Sequence, residues 1–339
     1  MKIAVFDVPA ENGGALTILE QYYNDAVSDK ENEWIFIVST PNFKEYSNVK
    51  VFRFPWVKKS WLHRLYFDNF VAPKIVKKIQ TSEIISLQNV IVKCHNIKQT
   101  LYIHQPLPFI EKKFGILENP RFWVYQNIIS KEIFVSIKMA DMVIVQTHWM
   151  KEAIIKKTKV SEDKVAIIPP KVDVAVGEYY KENNDNIFFY PASGLTYKNH
   201  SIIVGASKML LERGINNYKI VFTLTGKENR NIETLYNDCL MCNLPVQFVG
   251  ILSKEKVYEY YCKSTLIFPS YIETYGLPLL EAKVHRCPII ASDCAFSHEI
   301  LQDYSRAKYF NPFDTNRLVY ILAKFINQGN GINVKRGNI

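Results

Sequence analysis

The chain has 339 residues, of which 48% are hydrophobic and 22% charged, and its formal net charge is +9. This length favours two domains, and the composition excludes a disordered or low-complexity protein. No stretch approaches the roughly 18–20 apolar residues of a membrane span, and the N-terminal apolar run is broken too early for a signal peptide. We therefore expect a cytoplasmic protein whose six cysteines are reduced thiols.

Short apolar or β-branched runs alternate with longer runs of helical period. In the first half, strands are predicted at residues 2–8, 34–38, 51–54, 83–87, 100–104, 141–146 and 165–168, and helices at 15–27, 73–80, 122–139 and 149–157. In the second half, strands are predicted at 187–190, 219–225, 247–249, 266–268 and 288–291, and helices at 199–213, 232–241, 254–261, 276–285 and 314–327. Such alternation indicates parallel, doubly wound sheets. It predicts domains at 1–170 and 187–327, a polar linker at 171–186 and a polar tail at 328–339.

The strongest functional signal lies at residues 268–282, FPSYIETYGLPLLEA. Its two carboxylates, Glu273 and Glu281, flank a Gly-x-Pro turn. An apolar run leads in and a helical run leads out, so Glu273 should follow a strand and Glu281 should lie early in a helix. The free N–H groups at the helix start, near Gly276 and Leu277, favour an anion. Carboxylates accept hydrogen bonds from sugar hydroxyls, so the combination is typical of a nucleotide-sugar site.

This segment resembles the donor-site motif of the retaining glycosyltransferases of family 4, the group 1 glycosyl transferases. The elements FPS at 268–270, GLP at 276–278 and PIIASD at 288–293 occur in the family's order. The resemblance implies an α/β fold of the GT-B type, with two Rossmann-like domains whose parallel sheets face each other across a cleft. It also implies that Glu281 holds the donor ribose and Glu273 contacts the donor sugar, without a metal or other cofactor. As purely structural residues, Glu273 would cap a helix start and Glu281 would be a solvated helix residue.

The loop PASGLTYKNH at 191–200 supplies a cation. Lys198 follows a predicted strand, where a lysine can neutralise a leaving diphosphate without a metal; otherwise it would be an exposed surface lysine. The family has an Arg five residues earlier, but this chain has Ser193, and Lys227 is a candidate replacement. Thr225-Gly226 ends the next strand, where the family's backbone approaches the nucleotide, although ordinary turns also place Gly there.

Three further positions come from the first half and from the end of the motif. Gly13-Gly14 lies between the first strand and the first helix, where backbone amides can approach a donor phosphate or sugar. His104 is predicted to end a strand, and the resemblance places it near the donor's sugar carbon and the acceptor; the alternative is a partly buried structural histidine. Arg286 stands where the family usually has Gly. It would either crowd the helix end or bring a cation near the cleft.

Residues 53–67, RFPWVKKSWLHRLYF, interleave aromatic and basic side chains, in a region where basic residues outnumber acidic ones. This composition suits an anionic membrane surface, and the resemblance implies acceptors that are often lipid-linked. A solvated helix with core aromatics on its other face is an equal alternative. No recognised nucleic-acid-binding module is present, so nucleic acid is not an expected partner.

The sequence therefore predicts a metal-independent retaining glycosyltransferase. It would move a sugar from a nucleotide-diphosphate donor to a saccharide acceptor, which we expect to be lipid-linked, in surface polysaccharide or glycolipid synthesis. We also expect peripheral contact to the inner face of the cell membrane. The expected catalytic residues are His104, Lys198 and Glu273, and the expected donor-binding residues are Gly14, Thr225, Gly226, Gly276, Leu277 and Glu281. The alternatives are a non-catalytic GT-B scaffold that partners another transferase, which Ser193 favours, and a nucleotide-sugar epimerase, whose acid/base residues the sequence does not show.

Overall fold

The computed structural model describes residues 1–11, 13–171, 177–182 and 185–329. The chain divides into two compact units, Met1–Val172 and Asp173–Ile339. The predicted linker at 171–186 lies partly outside the described residues. The predicted tail at 328–339 lies outside them except for residues 328 and 329, which belong to the last helix.

The first unit is built on a seven-stranded sheet. Its strands are β1 (Lys2–Asp7), β2 (Glu33–Val38), β3 (Val49–Arg53), β4 (Glu83–Ser86), β5 (Lys98–Tyr102), β6 (Met142–Val145) and β7 (Val165–Ile167). They hydrogen-bond in the order β3-β2-β1-β4-β5-β6-β7, and all neighbours are parallel. The central strands are apolar runs because a parallel sheet covered on both faces buries nearly every side chain, as at Val5 and Phe36.

The helices of the first unit are α1 (Gly13–Ser28), α2 (Trp61–Tyr66), α3 (Ala72–Ile79), α4 (Pro120–Val124), α5 (Ser130–Met139) and α6 (His148–Thr158). A π-helical segment, Phe67–Val71, joins α2 to α3, so the two form one continuous helix. A second π-helical segment, Tyr125–Ile129, joins α4 to α5 in the same way. The sequence pattern predicted only the last part of the α2–α3 helix, from residue 73 onward.

The second unit is built on a six-stranded sheet. Its strands are β8 (Ile187–Tyr190), β9 (Lys219–Phe222), β10 (Val246–Phe248), β11 (Thr265–Phe268), β12 (Ile289–Ser292) and β13 (Ala307–Phe310), and its helices are α7 (His200–Glu212), α8 (Arg230–Met241), α9 (Lys254–Tyr261), α10 (Leu277–Val284), α11 (Ala295–Ile300) and α12 (Thr315–Gly329). The order is β10-β9-β8-β11-β12-β13, again entirely parallel. The predicted parallel α/β class is therefore confirmed for both units, while α11 and β13 were not predicted.

The strand order of each sheet reverses once, between β1 and β4 in the first unit and between β8 and β11 in the second. Loops leaving the two strands at such a point run to opposite sides of the sheet, and the crevice at the strands' carboxyl ends is where open α/β sheets bind ligands. In the second unit, Lys198 lies in the loop after β8 and Glu273 lies in the loop after β11. The topology therefore brings these two predicted site residues to one place.

Candidate active site

An ion pair between Lys198 and Glu273 forms the centre of the site in the second unit. Nζ of Lys198 contacts Oε1 of Glu273, and the two side chains are only 16% and 15% exposed. Removing two charges from water is costly unless they meet directly, so each side chain needs the other here. Lys198 is therefore not an exposed surface lysine. The sequence predicted both residues as site residues but did not predict that they pair.

Hydrogen bonds to the loop after β8 fix the position of Lys198. The Tyr190 hydroxyl donates to the Lys198 carbonyl at 2.8 Å, and the Tyr271 N–H donates to the Tyr197 carbonyl at 3.2 Å. Burial raises the pKa of both Tyr190 and Tyr197, and the charge of Glu273 adds to the effect. Both phenols stay neutral, so the formal charges at this point are those of Lys198 and Glu273.

The glycine turn after Glu273 leads directly into α10. Gly276 precedes the helix with φ +88°, a left-handed conformation that favours glycine. A Cβ at this position would also lie 3.3 Å from the Leu279 side chain. Pro278 stands near the start of the helix, where a proline is well tolerated because the first N–H groups lack intrahelical acceptors. The positive end of α10, at Leu277, therefore adjoins the loop that carries Glu273.

Glu281 lies on α10 and makes its contacts away from Lys198. The Tyr261 hydroxyl donates to Oε2 of Glu281 at 3.1 Å. Burial raises the pKa of the Glu281 carboxyl, although the bond from Tyr261 and the charge of Lys254 oppose the shift. Glu281 is thus a half-buried, hydrogen-bonded carboxylate, and the alternative of a fully solvated helix residue is wrong.

The backbone of Thr225 and Gly226 is engaged by a carboxylate that sequence reasoning missed. Glu228 accepts from the Thr225 N–H at 2.5 Å, from the Thr225 hydroxyl at 2.8 Å and from the Gly226 N–H at 3.1 Å. Partial burial raises the pKa of Glu228, but these bonds outweigh it and hold the pKa below its usual value. The only signal in the sequence was an acidic residue just after the Thr-Gly turn. Nucleotide contact by this backbone stays a prediction, and it requires Glu228 to move or share these donors.

The structure locates Ser193 and Arg286, the two residues at which the chain differs from the family pattern. Ser193 and Lys227 are both exposed, and replacement of the missing Arg by Lys227 stays a prediction. Arg286 follows α10 with φ +61°, a left-handed conformation that explains why glycine suits this position. Its guanidinium lies over the Tyr179 ring, 4.2 Å from the ring centroid.

His104 and Gly14 belong to the first unit. The sequence predicted that His104 ends a strand, but β5 ends at Tyr102, because the backbone N–H of His104 donates to the side-chain oxygen of Asn89 at 2.8 Å. Burial lowers the pKa of the His104 imidazole to about 4, so the side chain is neutral at neutral pH and contributes no positive charge. Gly14 lies exposed in the first turn of α1.

Asp7 is a buried carboxylate at the carboxyl edge of the first sheet, and the sequence analysis did not single it out. The pattern that could have indicated it is an acidic residue at the end of an apolar strand. Asp7 ends β1 and is 0% exposed. Burial raises its pKa to about 8, although the charges of Arg64 and Lys58 oppose the shift. Beside it, after β2 and β4, the side-chain oxygens of Ser39 and Gln88 are buried without a hydrogen-bond partner among the described residues. The carboxyl edge of this sheet therefore buries several polar groups side by side.

In the ranges that the structure describes, no group of three or more His, Cys, Asp or Glu side chains could hold a metal ion. Across that same part of the chain, no helix combines the length and the apolar character needed to cross a bilayer.

Two doubly wound parallel sheets, with a charged site at the strands' carboxyl ends, define a two-unit α/β protein of the Rossmann-like class. Residues 10–176 match the family model described as Glycosyltransferase Family 4, and residues 176–335 match the model described as Glycosyl transferases group 1. The two models together span nearly the whole chain. The chain therefore belongs to this family of glycosyltransferases, as its motif predicted.

A curated relative and several solved structures are similar to the chain. The O-antigen chain mannosyltransferase RfbU of Salmonella typhimurium is 23% identical over 234 residues, which cover 66% of this chain and 64% of RfbU, so the match spans less than two thirds of that relative. WaaG, a glycosyltransferase involved in lipopolysaccharide biosynthesis, superimposes with a TM-score of 0.74 at 14% identity, covering 97% of this chain and 91% of WaaG. Sucrose-phosphate synthase of Thermosynechococcus elongatus superimposes with a TM-score of 0.71 at 17% identity, covering 97% of this chain and 90% of the synthase. HepE of Anabaena, in complex with UDP and glucose, superimposes with a TM-score of 0.68 at 15% identity, covering 97% of this chain and 91% of HepE. These likenesses confirm the predicted GT-B fold.

We predict that Asp7→Asn reduces the pH dependence of stability. The folded protein keeps the Asp7 proton up to a pKa of about 8, whereas the unfolded chain releases it near 3.8. Between these values the folded state binds more protons, so Asp7 makes the free energy of unfolding fall as pH rises, by up to about 1.4 kcal/mol per pH unit. Urea denaturation at pH 5, 6 and 7 should show a smaller fall for the variant. Parallel curves for both proteins would contradict the buried, protonated carboxyl.

Proposed function

We propose that the protein is a retaining glycosyltransferase that moves a sugar from a nucleotide-diphosphate donor to a saccharide acceptor. The observation that carries the proposal is the pairing of Lys198 with Glu273 where the strand order reverses, beside the positive end of α10. Membership of the family supports the reaction class. The structures of HepE with UDP and with UDP-glucose support a nucleotide-sugar donor.

Lys198 and α10 would stabilise the leaving diphosphate. As the bond between sugar and phosphate breaks, negative charge grows on the phosphate oxygens. An ammonium and helix N–H groups that are already in place stabilise this charge more in the transition state than in the bound donor. No metal is required for this role, and we propose that the reaction is metal-independent. Retention of the anomeric configuration is proposed from the family alone.

Glu273 would have two successive partners. Before the donor binds, it neutralises Lys198 in a site that is largely shielded from water. When the diphosphate takes over Lys198, the Glu273 carboxylate becomes available to accept hydrogen bonds from hydroxyls of the donor sugar. Until the donor binds, the pair therefore holds both groups in position without leaving either charge buried and unpaired.

Glu281 would bind the donor ribose. Its carboxylate is held by Tyr261, which orients it without an opposing ion pair, and a carboxylate can accept from two neighbouring ribose hydroxyls. Thr225, Gly226, Gly276 and Leu277 would complete the donor site through their backbone. We assign donor binding to a domain at 187–327 and acceptor binding, near Gly14 and His104, to a domain at 1–170.

The acceptor that we propose is a lipid-linked saccharide in surface polysaccharide or glycolipid synthesis. RfbU is an O-antigen chain mannosyltransferase, and WaaG is involved in lipopolysaccharide biosynthesis. Both names support a saccharide acceptor. The direct test is a mass-spectrometric screen of UDP- and GDP-sugars with extracted lipid-linked saccharides, followed by NMR of the new linkage. A retained anomeric configuration supports the proposal. Donor isomerisation without acceptor would indicate an epimerase, and no turnover of any donor would indicate a non-catalytic scaffold.

Lys198→Met should lower kcat/KM roughly 100- to 1000-fold, because it removes a charge that stabilises the transition state. Lys208→Met is the matched control. Lys208 forms a comparable ion pair with Asp238, at 2.8 Å and at the surface of the same unit, and its loss should change the rate less than about twofold. Initial rates of nucleotide release at several donor concentrations give both values. Equal rates for the two variants would remove Lys198 from the mechanism.

Glu281→Gln should mainly raise the KM for the donor, by roughly tenfold, since each lost charge-assisted hydrogen bond is worth about 1.5–3 kcal/mol. The turnover number should fall much less, because ribose contacts are made equally in the ground state and the transition state. Glu259→Gln, in an exposed pair with Lys256, is the control. A fall in kcat with an unchanged KM would assign Glu281 to the chemical step and not to ribose binding.

A further inference from the structure

The continuous helix of α2 and α3 presents large apolar side chains to solvent. Trp61, Leu62, Leu65, Tyr66 and Phe70 are 55%, 74%, 42%, 54% and 57% exposed. Residues three and four apart are neighbours on a helix, so these five side chains lie along one face. We call them the apolar stripe. A contiguous apolar surface of this kind is uncommon on a monomeric soluble protein and marks an interaction site.

The opposite face of the same helix is already used by the protein core. Phe67 is 0% exposed, and Ala72 and Val76 are each 1% exposed. The Trp56 ring, which is half-buried, lies 6.0 Å from the Phe67 ring. Of the aromatic residues that the sequence offered for membrane contact, Trp56 and Phe67 therefore belong to the core. Only Trp61 and Tyr66 remain exposed, and the structure adds Leu62, Leu65 and Phe70.

Positive charge lies at both ends of the apolar stripe. Lys59 precedes it, and Lys74, Lys77 and Lys78 follow it on the same helix at helical spacing, all exposed. Two neighbouring cations, Lys58 and Arg64, are engaged elsewhere. Lys58 bonds to the Pro9 carbonyl at 2.6 Å and pairs with Glu11, and Arg64 pairs with Asp68. The four lysines are therefore the cations that this surface presents to a partner.

We propose that the apolar stripe and its four lysines bind the surface of a bilayer that contains anionic lipids. The helix would lie in the plane of the membrane, with the apolar side chains at the boundary between headgroups and acyl chains and the ammonium groups against lipid phosphates. Each lysine near an anionic surface then strengthens binding roughly fivefold. A second copy of the chain is a poorer partner, because two basic rims would repel each other. This surface adds a partner to the proposed function and does not depend on transfer activity.

The test is co-sedimentation of the full chain with vesicles of phosphatidylcholine, with and without phosphatidylglycerol. The unchanged protein should bind the anionic vesicles at least roughly tenfold more tightly than the neutral ones. The triple variant Leu62→Ser, Tyr66→Ser and Phe70→Ser and the double variant Lys74→Glu and Lys77→Glu should each lose at least roughly tenfold in affinity. Circular dichroism checks that both variants fold. Because the double variant changes only exposed lysines, it still tests the proposal if the triple variant does not fold.

Matched controls lie in the second unit. Leu240 and Met241 are 59% and 74% exposed, and Leu240→Ser with Met241→Ser should bind anionic vesicles as the unchanged protein does. Lys308→Glu with Lys324→Glu removes the same charge at other exposed positions and should weaken binding by much less than the stripe's lysine variant. Stripe variants that bind like the unchanged protein would overturn the proposal, and so would equal binding to neutral vesicles.

Two further readouts separate this inference from its rivals. Light scattering measures the oligomeric state of the protein. If the unchanged protein were a dimer and Phe70→Ser a monomer, the stripe would be assigned to self-association and the proposal of membrane binding would be overturned. Transfer to a water-soluble acceptor should be unchanged in the triple variant. If no donor is turned over by any variant but vesicle binding follows the stripe, the proposed function fails and the membrane surface stands.

Discussion

The chemistry that we assign to this protein depends on a contact between Lys198 and Glu273, two side chains that are largely withdrawn from water. Either charge alone would be strongly unfavourable there, since breaking a buried pair by removing one partner costs about 3–5 kcal/mol. The pair therefore constrains both loops at the point where the strand order reverses. It also gives a simple physical picture of donor binding, in which a diphosphate replaces one carboxylate as the partner of the ammonium.

A similar use of carboxylates recurs elsewhere in the second unit. Glu228 occupies the N–H groups of Thr225 and Gly226, and Glu281 is held by a tyrosine hydroxyl. The donors to Glu228 follow β9, whereas the donor to Glu281 lies at the end of α9. In the first unit, Asp7 lies at the corresponding edge but is buried, and its pKa is raised to about 8. The two sheets share a topology, but the polar groups near their edges differ. The carboxylates of the second unit accept hydrogen bonds, whereas Asp7 of the first unit is buried with a raised pKa.

Much of the fold was predictable because its signals are local. Strand 187–190 and helix 254–261 were predicted with the bounds that the structure has, and both units are parallel sheets as the alternation of elements indicated. The α2–α3 helix was largely missed, because apolar residues cover both of its faces and the helical period is lost. β13, with the sequence AKYF, was missed because a lysine interrupts its short apolar run, so that the run resembles an exposed segment.

The candidate site was predicted residue by residue but not as a set of contacts. The motif singled out Glu273 and Glu281 as candidates, and the loop after β8 singled out Lys198. The contact between Lys198 and Glu273 joins residues 75 positions apart and follows from the pairing of β8 with β11. Glu228 and Asp7 carried no motif, because a capping carboxylate and a buried one look like ordinary acidic residues in a sequence. The same limit applied to Trp56 and Phe67, since only packing distinguishes a core aromatic from an exposed one.

The most direct measurement of the central claim is calorimetric titration of Glu273→Gln with UDP and GDP, beside the unchanged protein. If Glu273 and the donor diphosphate compete for Lys198, the variant frees the ammonium. It should then bind the preferred nucleotide diphosphate at least as tightly as the unchanged protein, while sugar transfer is lost. Markedly weaker binding of the diphosphate by Glu273→Gln would contradict the account, because it would show that Glu273 supports Lys198 in holding the phosphate and does not compete for it.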